Sequence, residues 1–275
     1  MRTLFTLFSL VLLFGGCNIK HPPKDVDLDT LFDTVPAFDA NNPVPYDSTF
    51  QTLLDKSSYL APDGNTSDSL HDFSSENFYL DDENKLTFAL NKTPASPRTA
   101  SMLLQKQTWQ TKDSEGNFYL SQVRCYKPKK IDAYTWMEVH GLKKLDDNQS
   151  IYYNYPLVKL VWKRNFNNLY DHIWAIMTKS TPSESEPKIY EYIDLGPRPD
   201  YIFPAEVHIR DNILEVKINY STMTTQNVSY WEDVPSYFKV GISIEDYNDE
   251  GVAATAFSEL NFEDNASNVS DITHF

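Results

Sequence analysis

The sequence predicts an all-β protein, a sandwich or jelly roll of two antiparallel sheets. Short apolar-alternating runs separated by turn signals follow one another from about Phe73 onward. Regular spacing of such runs is the pattern of sandwiches and barrels. No segment keeps its apolar residues at a period of 3.6, so no long amphipathic helix is expected. Seventeen Tyr, sixteen Phe and five Trp suit pleated surfaces, where aromatic and β-branched side chains pack well.

The candidate strands begin with Phe78–Leu80 and Lys85–Ala89, joined by the polar turn Asp81-Asp82-Glu83-Asn84. Phe118–Tyr126, Tyr134–His140, Leu157–Trp162 and His172–Thr178 follow, with Lys163–Asn168 as the link before the last. Beyond the Ser180–Pro187 loop come Ile189–Ile193, the Gly196–Asp200 turn and Ala205–Arg210. Asp211-Asn212 is a two-residue hairpin signal leading into Ile213–Tyr220, because Asn and Asp tolerate the positive φ such turns need. Tyr237–Glu245 and Ala253–Phe262 close the series, and Gly64–Ser69 reads as a polar loop. There is no internal repeat, and 275 residues with 41% hydrophobic content fit one large all-β domain.

The N-terminus has a different character. Met1 and Arg2 precede an almost wholly apolar run, Leu4–Phe14, followed by Gly15, Gly16 and Cys17. A basic start, a short apolar run and small residues before a cleavage point describe a secretory signal. The run is too short for a bilayer, which needs about 20 apolar residues. Small residues directly before a cysteine resemble the bacterial lipoprotein signal. The expectation is removal of residues 1–16 and acylation of Cys17, anchoring the protein in the cell envelope, at the outer membrane of a Gram-negative bacterium. Residues 17–42 then read as a flexible tether, being rich in Pro and Asp between His21 and Pro36 and too poor in apolar area to fold alone. The domain itself is placed at 43–275.

With Cys17 acylated, Cys125 is the remaining thiol and is expected to be a small buried hydrophobe rather than half of a disulfide. Two cysteines and six scattered histidines never fall at zinc-ligand spacing, so no metal or other cofactor is expected. A formal charge of −15 argues against nucleic acid, which is met by basic surfaces. There is no G-x-S-x-G elbow and no phosphate loop. Glu138 and Glu245 can be drawn as a carboxylate pair for glycoside hydrolysis, although nothing in their spacing singles them out.

Three strings carry a resemblance to a known family. They are Pro97-Arg98-Thr99-Ala100-Ser101-Met102, Tyr134-Thr135-Trp136-Met137-Glu138-Val139-His140-Gly141, and Ser236-Tyr237-Phe238-Lys239-Val240-Gly241-Ile242-Ser243-Ile244-Glu245. In that order they resemble R-[ST]-E-L-R, a strand ending in Q-[IV]-H-G, and Y-F-K-A-G-x-Y-x-Q of the alginate lyase family, polysaccharide lyase family seven. Intervening stretches such as PLVKLVW and FPAEVHIRDNILEVKIN agree, so the resemblance spans roughly residues 40–265. It implies a β-jelly roll with a concave groove, a monomer, and an acidic polysaccharide or oligosaccharide as partner.

Alternation along a strand puts Trp136, Glu138 and His140 on one face, and Tyr237, Lys239, Gly241, Ser243 and Glu245 on another. Cutting a uronate polymer by β-elimination requires neutralising the C5 carboxylate, removing the C5 proton and protonating the departing O4. By resemblance, Arg98 and the residue at the glutamine position handle the carboxylate and His140 is the base. Lys239 and Tyr237 are substrate contacts, and Trp136 and Trp231 are candidates for stacking on a sugar.

The departures from the pattern fall on this machinery. Ser243 stands where the family has its proton-donating tyrosine, Glu138 stands where it has glutamine, and Ala100 and Met102 replace a charge pair. Tyr247, of the same strand parity as Ser243, is the candidate replacement phenol. Two functions follow as alternatives: a lyase on alginate or a related uronate polymer, and a carbohydrate-binding surface lipoprotein that has lost catalysis. Since Glu138 and His140 sit side by side two residues apart, Glu138 is expected to bind Arg98 or Lys239 rather than to orient His140.

Overall fold

The computed structural model describes residues 32–93, 99–146, 149–180, 189–246, 249–264 and 270–271. In chain order these carry one short helix, α1 (Gln51–Asp55), and strands β1 (Ser57–Leu60), β2 (Thr66–Ser67), β3 (Phe78–Leu80), β4 (Leu86–Lys92), β5 (Thr99–Gln105), β6 (Gln107–Thr108), β7 (Asn117–Cys125), β8 (Ala133–Asp146), β9 (Gln149–Phe166), β10 (Leu169–Thr178), β11 (Tyr190–Pro197), β12 (Phe203–Arg210), β13 (Ile213–Ile218), β14 (Ser221–Asn227), β15 (Ser236–Ile244), β16 (Gly251–Asp264) and β17 (Ser270–Asp271). An eight-stranded sheet runs β11-β10-β9-β8-β15-β5-β1-β2 and a seven-stranded sheet runs β14-β13-β12-β7-β16-β4-β3. Every pairing within them is antiparallel. This is the jelly-roll sandwich.

One hydrophobic core fills the space between the sheets. Val139, Val158, Val240 and Ile242 enter it from the eight-stranded sheet, and Phe88, Val123, Val207 and Phe257 from the other. Alternation does the sorting. In β7 every second residue is buried, from Asn117 to Cys125, and Cys125 is a free, fully buried thiol that burial pushes up to about 12.

All eleven candidate strands are present. The hairpin at Asp211-Asn212 has both residues at positive φ, 50° and 61°, as a two-residue turn requires. The strands that alternation misses are instructive. β5 is buried along almost its whole length, so it has no wet face to create an alternating pattern. β14 is a polar edge strand, exposed or half-exposed throughout. β2 and α1 are too short to leave a periodic signal.

The segment assigned to the tether is also corrected at its end. Asp33 accepts a backbone hydrogen bond from Lys127 at 2.8 Å and pairs with Arg198 at 3.3 Å, and Pro36 accepts the Tyr79 hydroxyl. Val35 packs against a small buried cluster that includes Tyr79 and Tyr126. Composition counted the aspartates as solvated; in three dimensions Asp33 meets a buried cation.

Candidate active site

The site is built on β8, β9 and β15, neighbours in the middle of the eight-stranded sheet. Register aligns Lys239 with Glu138 and Glu138 with Lys159, a Lys-Glu-Lys row across three strands. The next pair is Tyr237 opposite His140. Directly opposite residues share a face, and this one points away from the core that holds Met137, Val139, Phe238 and Val240.

Two glycines hold the strip in place. A Cβ on Gly141 would lie 2.5 Å from the Trp231 ring, so the residue after His140 must be glycine for that ring to pack beneath it. Gly241 has φ +145°, and a Cβ there would meet the Ser101 carbonyl oxygen at 2.3 Å. It allows β15 to approach β5 closely at a break in the register with β8, between Val240 and Ser243.

Glu138, His140, Lys239 and Tyr237 are all buried, at 0%, 2%, 4% and 1% exposure. His140 Nε2 contacts Glu138 Oε2 directly. Lys239 Nζ lies 3.7 Å from the same oxygen and Lys159 Nζ 3.7 Å from Oε1. The His140 and Tyr237 rings are 5.8 Å apart, centre to centre.

Burial opposes ionisation of Glu138, but His140, Lys239 and Lys159 outweigh it and hold the carboxyl well below the usual range. Burial likewise disfavours a charged His140; the two lysines add to this, Glu138 only partly offsets it, and the imidazole pKa falls. Glu138 is therefore a carboxylate and His140 a neutral ring at pH 7. A carboxylate only accepts, so the nitrogen facing it carries the proton. His140 Nδ1 then has the lone pair, and this buried atom has no hydrogen-bond partner among the described residues.

The expectation that Glu138 would leave His140 alone is thus overturned. Residues two apart on one face are near enough for a long carboxylate to reach back to the ring. Glu138 and Glu245, drawn as a carboxylate pair, both approach the Lys159 ammonium. Lys159 escaped the sequence reading. Its signal was there, a lysine inside the apolar run Leu157–Trp162, but only register shows what it faces.

Trp136 does not join the strip. Pairing with β9 shifts between Thr135 and Met137, and this β-bulge turns Trp136 into the core, fully buried beside Met137. A bulge of one residue moves a side chain to the other face. Trp231 is fully buried too, donating to Ser236 Oγ at 3.0 Å, so neither tryptophan is placed to stack on a sugar. Ser243 keeps the site's face and lines an adjoining pocket of about 390 Å³ with Thr135, Lys159, Lys163, Tyr190 and Tyr192. Arg98, Tyr247 and Cys17 lie outside the described residues. No group of three or more His, Cys, Asp or Glu able to hold a metal occurs among the described residues.

The family described as alginate lyase matches residues 55–264, most of the chain, and the protein belongs to that family. An alginate lyase of Photobacterium sp. (strain ATCC 43367) is 27% identical over 217 residues, covering 69% of this chain and 73% of that protein. Among solved structures, alginate lyase AlyC3 in complex with dimannuronate superposes with a TM-score of 0.70 at 17% identity, covering 87% of this chain and 100% of that one. The exolytic alginate lyase AlyA5 from Zobellia galactanivorans gives 0.58 at 12% identity, covering 79% and 97%. At such identities the superpositions establish the shared fold.

Proposed function

We propose that the protein is a polysaccharide lyase acting on alginate or a related uronate polymer by β-elimination, with His140 as the base. The observation that carries this reading is the Glu138–His140 pair: a carboxylate fixes one ring nitrogen as donor and leaves the other, unpartnered, as acceptor. That is how enzymes orient a general base. Nδ1 takes the C5 proton, the C–H electrons form the C4–C5 double bond, and the C4–O4 bond breaks. Lys239 supplies positive charge for the substrate carboxylate, with Arg98 as its partner in that role. O4 leaves protonated by Tyr247, Tyr237, Lys239 or water, since a phenol donates near neutral pH and the Ser243 hydroxyl donates poorly.

A second reading, glycan binding without cleavage, is favoured by one specific feature, Ser243 at the position of the family's tyrosine. Both are tested by incubating the purified protein with a panel of uronate polymers and following the ultraviolet absorbance of unsaturated ends. Ends that appear with the wild type and vanish in His140→Ala support the lyase. Glycan binding with no ends from any polymer gives the site to the binding reading. Restoring the family's tyrosine by Ser243→Tyr is expected to raise activity on alginate.

The protein is further proposed to act as a monomer anchored through acylated Cys17 at the outer membrane. Cys17→Ser should release it into the soluble fraction; wild-type protein already found there would refute the anchor.

A further inference from the structure

The concave face of the eight-stranded sheet carries a second histidine held by a carboxylate, away from the Glu138–His140 pair. In β10, Ile173, Ala175 and Met177 enter the core, so His172 and Trp174 belong to the groove side. His172 Nδ1 lies 2.8 Å from Asp194 Oδ1 on β11. The same oxygen accepts the Gly196 backbone N–H at 2.9 Å. Pairing of β10 with the edge strand β11 shifts between His172 and Trp174, and Gly196 has φ +99°. This is an edge-strand β-bulge, a feature that re-aims side chains. Here it turns Asp194 onto the imidazole, through a backbone conformation that glycine adopts without strain.

Register sets Lys163 of β9 opposite His172, so the two side chains share a face. The Lys163 ammonium is held over the Phe166 ring at 4.2 Å and the Tyr192 ring at 5.6 Å, whose faces attract a cation. Burial nonetheless lowers the Lys163 pKa, and Glu245 offsets this only in part. A carboxylate arriving from the groove would favour the charged form. Lys163 lines the pocket beside the catalytic centre, four residues beyond Lys159 on β9. At the rise of a strand that is about 13 Å. What binds at Lys163 and His172 is therefore a unit further along the polymer than the one being cleaved.

The chemistry of the two side chains selects the ligand. A carboxylate on Nδ1 fixes the proton there and leaves Nε2 for a ligand, on a side chain that keeps 16% of its surface exposed. A neutral ring accepts at Nε2 and a charged ring donates; a sugar hydroxyl answers either form. The ammonium on the neighbouring strand calls for a carboxylate. A pyranose that brings both groups is a uronate.

We propose that His172, positioned by Asp194, and Lys163 form an outer subsite that takes the hydroxyl and the carboxylate of one uronate unit beyond the cleaved one. This rests on the uronate-polymer reading of the centre, but its test does not need turnover. The experiment is calorimetric titration of the full chain, carrying His140→Ala so that the probe is not consumed, with a hexasaccharide of mannuronate. Lys163→Met keeps the stem over the two rings and removes the charge; it should weaken binding about tenfold, the scale of one charge-assisted hydrogen bond. Lys163→Arg keeps the charge and should keep the affinity, which separates recognition from misfolding. His172→Ala should weaken binding by a similar factor, and His172→Gln, which retains a polar group of similar reach, should recover most of it. Asp194→Asn should weaken binding while His172 is present and have no further effect in His172→Ala, the mark of a residue acting through the ring. Hexasaccharide affinity unchanged in Lys163→Met and His172→Ala, or lost equally in Lys163→Met and Lys163→Arg, overturns the subsite whether or not the protein cuts. Dependence on both residues, with no unsaturated product from any polymer and the wild type, would sink the lyase reading alone and leave this one standing.

Discussion

Two buried ionic clusters in this protein look alike in composition and differ in one respect. Around Arg198 every guanidinium nitrogen has a partner: Nε donates to Asp171 at 2.9 Å, Nη1 to the Cys125 carbonyl at 3.1 Å and Nη2 to Asp200 at 2.9 Å. Asp171 also accepts from the Trp162 indole at 2.7 Å and lies 3.6 Å from the Lys127 ammonium. Burial opposes the Asp171 charge, but Arg198 and Trp162 outweigh it and keep its pKa low. Around Glu138 the same ingredients leave one atom over, His140 Nδ1. The fully partnered Arg198 guanidinium ties segments together, here Asp33, Lys127, β10 and the end of β11, while Arg124, 3.7 Å from Asp33, keeps a buried Nε without a partner among the described residues. A cluster with an unpartnered basic atom has an acceptor to offer, because a buried polar group without a partner costs free energy that a water, a ligand or a reaction can recover.

The largest expected effect lies on the unsaturated side. His140→Ala should reduce turnover by about a hundredfold or more, the usual worth of a general base, and should also lower the denaturant midpoint, because the buried Glu138 carboxylate loses a partner. Steady-state rates and a denaturation curve on the same preparation check both halves, and undiminished turnover would remove His140 from the chemistry. Next comes the saturated side: Arg198→Met strands Asp171 and Asp33 without their shared cation and should cost about 3 kcal/mol of stability. Urea unfolding measures it, and turnover per folded molecule should be unchanged. A rate loss with no stability loss would reverse the roles of the two clusters.

A smaller effect concerns acid. His140 is held below its ordinary 6.5, so between 6.5 and its folded value the unfolded chain binds the proton and the folded chain does not. Stability from this group is therefore fully present above about 6.5 and is lost as pH falls through the folded value. Glu138, held well below 4.5, adds a second loss of the same sign at lower pH. Denaturant midpoints across this range should decline on acidification, and His140→Gln should flatten the upper part of the decline; an unaltered slope would mean that the ring titrates normally. The smallest effect is reserved for Ser243→Ala, which should leave the catalytic rate nearly unchanged because the serine hydroxyl is too weak an acid to serve as donor. A large loss of rate there would make Ser243 part of the centre and not only a lining of the pocket.

Much of this was legible in the chain. Glu138 and His140 share a face of β8, and Tyr237, Lys239 and Ser243 a face of β15, because alternate residues of a strand do, a local rule that needs no partner strand; register then joins the two strips. Trp136 obeyed that rule only as far as the bulge at its own position, and a bulge depends on how two strands match along their lengths. β5 carried no pattern because both its faces are covered, a fact belonging to its neighbours.

The sequence by itself determined where the eleven patterned strands run, which of their faces is polar outside the Trp136 bulge, that Cys125 is a buried hydrophobe, and which family the chain resembles, since period-two patterning and motif strings are written in consecutive residues. Only the tertiary structure decided that Glu138 grips His140, that Lys159 stands across from them, that Asp33 locks onto Arg198 and that Ser243 lines a pocket with Tyr190 and Tyr192. Those contacts join residues far apart in the chain or turn on the reach of a side chain. They follow from strand order, register and packing, which no local pattern encodes.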